Sequence, residues 1–207
     1  MTSEIKDEQP TKSDDKDIKF VILKDEEIDP EIHYDIAVIL HDHGDESAYP
    51  EVFKHLRFAS DKGHAEAIAH LADCYYFGMG VEKDIPKAVE LSIRSAKTGS
   101  LYGCYFAGKE LLLGVNIKPD YPQAYRYLTA AADDGDRRAI NALGIMYTYG
   151  YHVKRNFRKA KRLFKKAAKM GEKNATHNLE HLCSQGRGYN PEGTPIVEMI
   201  IGRGGIE

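Results

Sequence analysis

Residues able to carry chemistry are few and scattered along this chain of 207 residues. His177 and His181 stand four apart with Cys183 two places on. On a helix that spacing puts two imidazoles on one face, where they could hold a divalent metal. The glutamate of an HExxH motif is missing from its place, because Glu180 adjoins His181 and not His177. His41-Asp42-His43 is an isolated tripeptide, and 9 histidines in 207 residues bring such pairs together by accident, so no metal site is assigned. The 3 cysteines, Cys74, Cys104 and Cys183, form no CxxC. An odd, widely spaced set fits free thiols in a reduced compartment better than a disulfide framework. Cys74 and Cys183 fall at core-facing registers and read as small buried hydrophobes, not nucleophiles. No phosphate-binding G-x-x-x-x-G-K-[ST], dinucleotide-binding G-x-G-x-x-G or nucleophile-elbow G-x-S-x-G is present. The chain therefore reads as a non-enzyme with no cofactor, and a small-molecule ligand is disfavoured.

Charge is patterned more sharply than the total shows. Lys+Arg number 29 against 32 Asp+Glu, a net charge of −3, which excludes a globally basic nucleic-acid binder and a strongly acidic disordered chain. Yet residues 154–173 hold 10 Lys/Arg and a single acid, Glu172. Helical periodicity assigns Phe157, Ala160, Leu163, Phe164, Ala167 and Ala168 to a buried stripe and turns Arg158, Lys161, Arg162, Lys165, Lys166 and Lys169 outward as a basic face. Such a face could hold phosphates, anionic lipid head groups or an acidic protein segment. It could equally be a solvated surface, or be neutralised by the chain's own N-terminal residues 1–31, which carry 11 acids and 5 lysines. No stacking aromatics alternate with the cations, so a nucleic-acid partner is disfavoured.

The elements that must position these residues are set by an internal repeat. Gly63, Gly99, Gly135 and Gly171 recur every 36 residues, and so do Gly78, Gly114, Gly150 and Gly186. Ala88, Ala124 and Ala160 share a register, as do Ala96, Ala132 and Ala168, and Asp84, Asp120 and Asn156. A fixed period of this length means stacked supersecondary units. Each unit reads as two helices, with apolar stripes such as Ala67, Ile68, Leu71 and Tyr75, then Ile85, Ala88, Leu91 and Ala96. Asp84 is an N-cap, Pro86 lies in the first turn, and Gly78 and Gly99 end the helices. Small residues at Ala72, Gly108 and Gly144 let paired helices approach closely. Neither helix can bury its stripe alone, so the units must stack along one continuous apolar spine.

The run A-x-x-x-L-G-x-x-Y-x-x-G, D/N-x-x-x-A, A-A-x-x-G closely resembles the Sel-one-like repeat, a relative of the tetratricopeptide repeat. Ala139, Leu143, Gly144, Tyr147, Gly150, Asn156, Ala160, Ala167, Ala168 and Gly171 carry it best. The middle unit departs from it, with Ala107 for leucine and Leu111 for tyrosine. The resemblance implies an all-α, right-handed α-solenoid of stacked helix-turn-helix hairpins that assembles protein complexes. The expected divisions are an acidic flexible segment 1–30, a degenerate first repeat 31–63, repeats 64–99, 100–135 and 136–171, a terminal half-repeat helix 172–186, and a tail or cap 187–207. Short apolar runs at 18–23 and 195–201 are expected to cover the open ends. The opening MTSEIKDEQP lacks the basic-then-apolar pattern of a signal peptide, and no apolar run approaches membrane-spanning length. The expectation is a cytoplasmic protein, with the nucleus left open.

By analogy with the tetratricopeptide pattern, the concave wall is lined by Glu66, Asp73, Tyr76 and Phe77, then Tyr102, Tyr105 and Lys109, then Arg138, Asn141 and Tyr149. Tyrosine and arginine are over-represented among binding hot spots, so this wall suits a partner peptide or protein surface. Adaptor or scaffold is the leading reading. The alternatives are a nucleic-acid- or anionic-membrane-associated factor acting through residues 154–173, and a specific protein inhibitor or immunity-type binder.

Overall fold

A computed structural model describes residues 29–184. The acidic N-terminal segment, the apolar runs 18–23 and 195–201 and the GRGG near the C-terminus lie outside the described residues. The order of elements is α1 (Pro30–Asp42), a 3₁₀ turn (Glu46–Ala48), α2 (Tyr49–Asp61), α3 (Ala65–Phe77), α4 (Ile85–Thr98), α5 (Leu101–Leu113), α6 (Tyr121–Asp133), α7 (Arg137–Tyr149), α8 (Phe157–Lys169) and α9 (Lys173–Ser184). Among the described residues there is no strand. Consecutive helices pair, α1 with α2, α3 with α4, α5 with α6 and α7 with α8, and each pair stacks on the next.

The sequence punctuation does the local work. Asp84, Asp120 and Asn156 cap α4, α6 and α8, each side chain accepting a hydrogen bond from the amide three residues on. Gly78, Gly114 and Gly150 end α3, α5 and α7 with φ of 79°, 65° and 81°, in the left-handed region that a side chain would resist. The capping residue then closes each hairpin through its backbone: the amides of Asp84, Asp120 and Asn156 donate to the carbonyls of Tyr75, Leu111 and Tyr147 at 2.9, 3.1 and 2.8 Å. Three loops are thus pinned by the same bond.

Within each pair, the helices touch at the small residues. A Cβ on Gly144 would lie 2.5 Å from the Phe164 ring, and one on Gly108 would lie 2.7 Å from Leu128. Phe164 and Leu128 are fully buried, so neither has room to retreat.

The apolar interior is not one continuous spine. Buried side chains form one cluster from Ala37 to Leu91 and a second from Ala96 to Leu182. Between them, at the α4–α5 junction, the chain buries Ser92, Ser95 and Ser100. The Ser95 hydroxyl donates back to the Ala65 carbonyl of α3 at 2.8 Å, and toward α5 a Cβ on Gly103 would meet the Ser95 oxygen at 2.3 Å. Helices here approach too closely to leave room for a large apolar side chain.

Two other expectations change. Phe157 is 38% exposed, because it starts α8 at the rim of the buried stripe. Cys183 is exposed, since it lies in the last turn of the terminal helix, whereas Cys74 and Cys104 are buried. At the opposite end, Ile32 and Ile39 of α1 stay exposed, because α1 has no preceding helix among the described residues.

Gly144→Ala is expected to lower stability by about 1–3 kcal/mol through overpacking against Phe164, read as an earlier urea midpoint with retained helical circular dichroism. A midpoint equal to or above that of the wild type would contradict the close helix approach.

Candidate functional site

The inner helices α3, α5 and α7 lie side by side, and residues one repeat apart meet across their seams. Tyr102 in the first turn of α5 donates its hydroxyl to Asp73 Oδ2 on α3 at 2.8 Å. His70 stacks on the Tyr102 ring, centroids 4.9 Å apart, and its Nδ1 stands 3.7 Å from the same carboxylate oxygen. On the other side, the Arg138 guanidinium of α7 lies 4.1 Å from the Tyr105 ring centre, 5.6 Å from that of Tyr102 and 5.5 Å from that of Phe106. Asp136, the cap of α7, holds that guanidinium through bonds of 2.7 and 3.3 Å. Lys109 sits between the Tyr76 and Phe106 rings at 5.1 and 5.3 Å and pairs with Glu110 at 3.1 Å. Glu110 also accepts from the Asn116 side chain at 2.9 Å. The wall is therefore a ladder of alternating rings and charges, each fixed by its neighbours.

The expected wall residues divide into layers. Tyr105, Lys109 and Asn141 are buried beneath the surface, with Asn141 accepting from Asn178 of α9 at 2.9 Å. Glu66, Tyr76, Tyr102 and Arg138 are half-buried, and Phe77 is 65% exposed. Tyr149 is not brought to this ladder; it stacks on Tyr151, which stacks on Tyr121, at centroid distances of 5.5 and 4.5 Å. On α8, Arg158, Lys161, Arg162, Lys165, Lys166 and Lys169 are all exposed, and none is within ion-pairing distance of a carboxylate among the described residues. Lys159, on the same helix, instead donates to the Tyr147 hydroxyl at 2.6 Å.

Alongside α3 the wall deepens into a pocket of about 340 Å³. Its sides are Tyr34, Val38, His41 and Asp42 from α1, Val52 and Leu56 from α2, His70, Asp73, Cys74 and Phe77 from α3, then Met79 and Tyr102. Burial pushes the Asp73 carboxyl up to about 6, against the opposing pull of the Tyr102 hydrogen bond and of the positive charges on Lys109 and Arg138. Burial, with the positive field of His41, holds His70 below the usual imidazole range. Burial and the Asp73 charge raise the Tyr102 phenol, so it is a neutral donor. Burial pushes the Cys74 thiol up to about 12, far from nucleophilic range at neutral pH.

His70, Phe106 and the α1 residues were absent from the expected wall. His70 and Phe106 share a register 36 residues apart, and Phe106 lies one turn after Tyr102, so the repeat itself carried that signal. The α1 contribution was hidden because Gly44 breaks the glycine register of the later units. His177 and His181 have ring centres 6.4 Å apart, and no group of three or more metal-ligating side chains occurs among the described residues.

A stack of helix hairpins with an inner wall of this kind defines a helical-repeat solenoid. The family model described as the Sel1 repeat matches residues 65–100, 101–136 and 137–172. The chain belongs to the Sel1 repeat family, a non-enzymatic fold whose proteins generally mediate protein–protein interactions. Two solved structures are similar. A Sel1 repeat protein from Oxalobacter formigenes is 26% identical with a TM-score of 0.64, over 86% of this chain and 72% of its own. A protective antigen of uropathogenic Escherichia coli with an SLR fold is 24% identical with a TM-score of 0.63, over 76% of this chain. This chain spans 34% of that antigen's length, and the likeness shows the fold. No curated protein matches. Among the described residues, no helix is long and apolar enough to cross a membrane.

Asp73 is expected to protonate with a midpoint near 6, measured by carbon-detected NMR of its carboxyl. A folded-state value above the ordinary 3.8 means that stability falls as pH rises from about 4 through 6, by on the order of 3 kcal/mol. Asp73→Asn should remove that slope and be at least as stable as the wild type at pH 7.5. A midpoint at or below 4 would refute the uncompensated burial.

Proposed function

We propose that the protein is an adaptor or scaffold that captures a partner polypeptide along the inner wall of α1, α3, α5 and α7. One observation carries the reading: Phe77 stands 65% exposed at the mouth of a largely apolar pocket, beside rings that are themselves held in place. Phe77 continues the pocket's apolar lining onto the surface, and an apolar patch that runs into a groove marks an interaction surface. Tyr76, Tyr102 and Arg138 flank it and are of the residue types that anchor interfaces. Tyr105, Lys109 and Asn141 support them from beneath, so little order has to be gained on binding. Glu66 and Asp73 give this end of the wall its acidic character. An inhibitor or immunity-type binder would use the same wall and differ only in what its partner does.

The exposed cations of α8 favour a second surface, on which an anionic partner is held by charge alone. Such binding falls steeply with ionic strength, whereas capture built on aromatic burial loses much less.

Random peptides displayed on phage and selected on the protein supply the test. Phe77→Ala is expected to weaken the selected peptides by about tenfold or more while the melting midpoint stays unchanged. Peptides that bind Phe77→Ala and Tyr102→Ala as tightly as the wild type would remove the wall from the reading. A loss confined to Arg162→Glu and Lys165→Glu, with a steep salt dependence, would move the function to α8.

A further inference from the structure

The pocket beside Asp73 has a chemistry that capture of an apolar side chain does not account for. Val38, Leu56 and Met79 line it with aliphatic surface, and Tyr34, Phe77 and Tyr102 add rings. The exposed Phe77 and the buried Asp73 mark its outer and inner ends. Asp73 is 8% exposed; its Oδ2 accepts from Tyr102, and its Oδ1 accepts no hydrogen bond from any described residue. Oδ1 is not among the fully buried polar atoms that lack a partner, so it opens onto the pocket, where a donor entering from outside can reach it.

The protein supplies no such donor. No lysine or arginine lines the pocket. From α5, Lys109 is committed to Glu110 at 3.1 Å, and from α7, Arg138 is committed to Asp136 at 2.7 Å. On α3 itself, His70 is stacked on Tyr102 and Glu66 adds negative charge nearby. On α1, Tyr34 faces the pocket, and His41 and Asp42 stand at the rim, 3.8 Å from each other. Asp42 and Asp73 line the pocket with Glu66 nearby and no lysine or arginine in the lining, and the rings present faces that attract positive charge.

Building on the wall as the place of capture, we infer that this pocket takes a lysine or arginine side chain of the partner, its charged end against Asp73 and its methylene stem along Val38, Leu56 and Met79. The stem meets the aliphatic lining and the charged end meets the bare oxygen in a charge-assisted hydrogen bond. A neutral side chain of equal length fills the same space and leaves Asp73 uncompensated.

The full chain, ¹⁵N-labelled, is titrated at pH 7.5 with N-acetyl-lysine methylamide, with its arginine counterpart, and with the norleucine counterpart of matching length. Saturating shifts at the amides of Val38, Phe77 and Tyr102 are expected for a cationic probe, with the norleucine probe at least about tenfold weaker. Lowering the pH from 7.5 to 5 should cost the cationic probe about tenfold as Asp73 gains its proton. His41 and His70 also face the pocket, so Asp73→Asn isolates the carboxylate: it should bring cationic and norleucine probes to equal affinity at pH 7.5. Norleucine binding as tight as lysine in the wild type overturns the inference, as does discrimination that survives Asp73→Asn. Shifts absent for every probe also overturn it. In each of these cases, continued sensitivity of selected peptides to Phe77→Ala leaves the capture reading standing; its loss ends both.

Discussion

The Phe164 ring stands where a methyl group on Gly144 would need to be, and Leu128 stands in the same relation to Gly108. That closeness is the constraint on which the array depends. Two helices that interlock at a point without a side chain have one angle and one offset, and the amides of Asp84, Asp120 and Asn156 then lock the connecting loops to the carbonyls of Tyr75, Leu111 and Tyr147. Once each hairpin is rigid, its neighbours can meet it in only one register. Asp73 finds Tyr102, and Tyr105 finds Arg138, because the units carrying them are fixed bodies.

On this frame the inner wall is built from contacts that are weak singly and mutually orienting. Lys109 and Glu110 are both buried, and such a pair adds little net stability once desolvation is counted. Its effect is on position: Lys109 holds the Tyr76 and Phe106 rings, and Asn116 holds Glu110 in turn. Arg138 does the same for Tyr105 from the next unit, with Asp136 aiming it. Packing between the stripes makes the stack, and the ladder of rings and charges decides what its inner surface presents.

Most of the architecture was legible because its determinants are local and periodic. Glycines at one spacing, caps at another and alanines at a third are all visible in a single chain, and they translate directly into helix ends and close approaches. The wall was legible only in part. Register shows which positions face inward, but how deep they lie depends on the neighbour one unit on. Tyr105 sinks because Arg138 covers it, and Asn141 sinks because Asn178 reaches it from α9. The pocket was invisible, since it draws on α1, where the glycine register slips. The break in the apolar spine was equally hidden: serines at 92, 95 and 100 look like tolerable surface residues until the α4–α5 distance is known.

That serine- and glycine-packed junction gives the array an uneven mechanical character. Apolar burial weakens gradually as surfaces part, because it scales with area. A glycine pressed on a serine depends on fit, and its contacts are lost over a fraction of an ångström to a few ångströms. Both clusters reach α4, one through Leu91 and the other through Ala96, so the boundary falls within that helix beside the serine-packed face. Between the two clusters the stack rests on fit, where within them it rests on buried area.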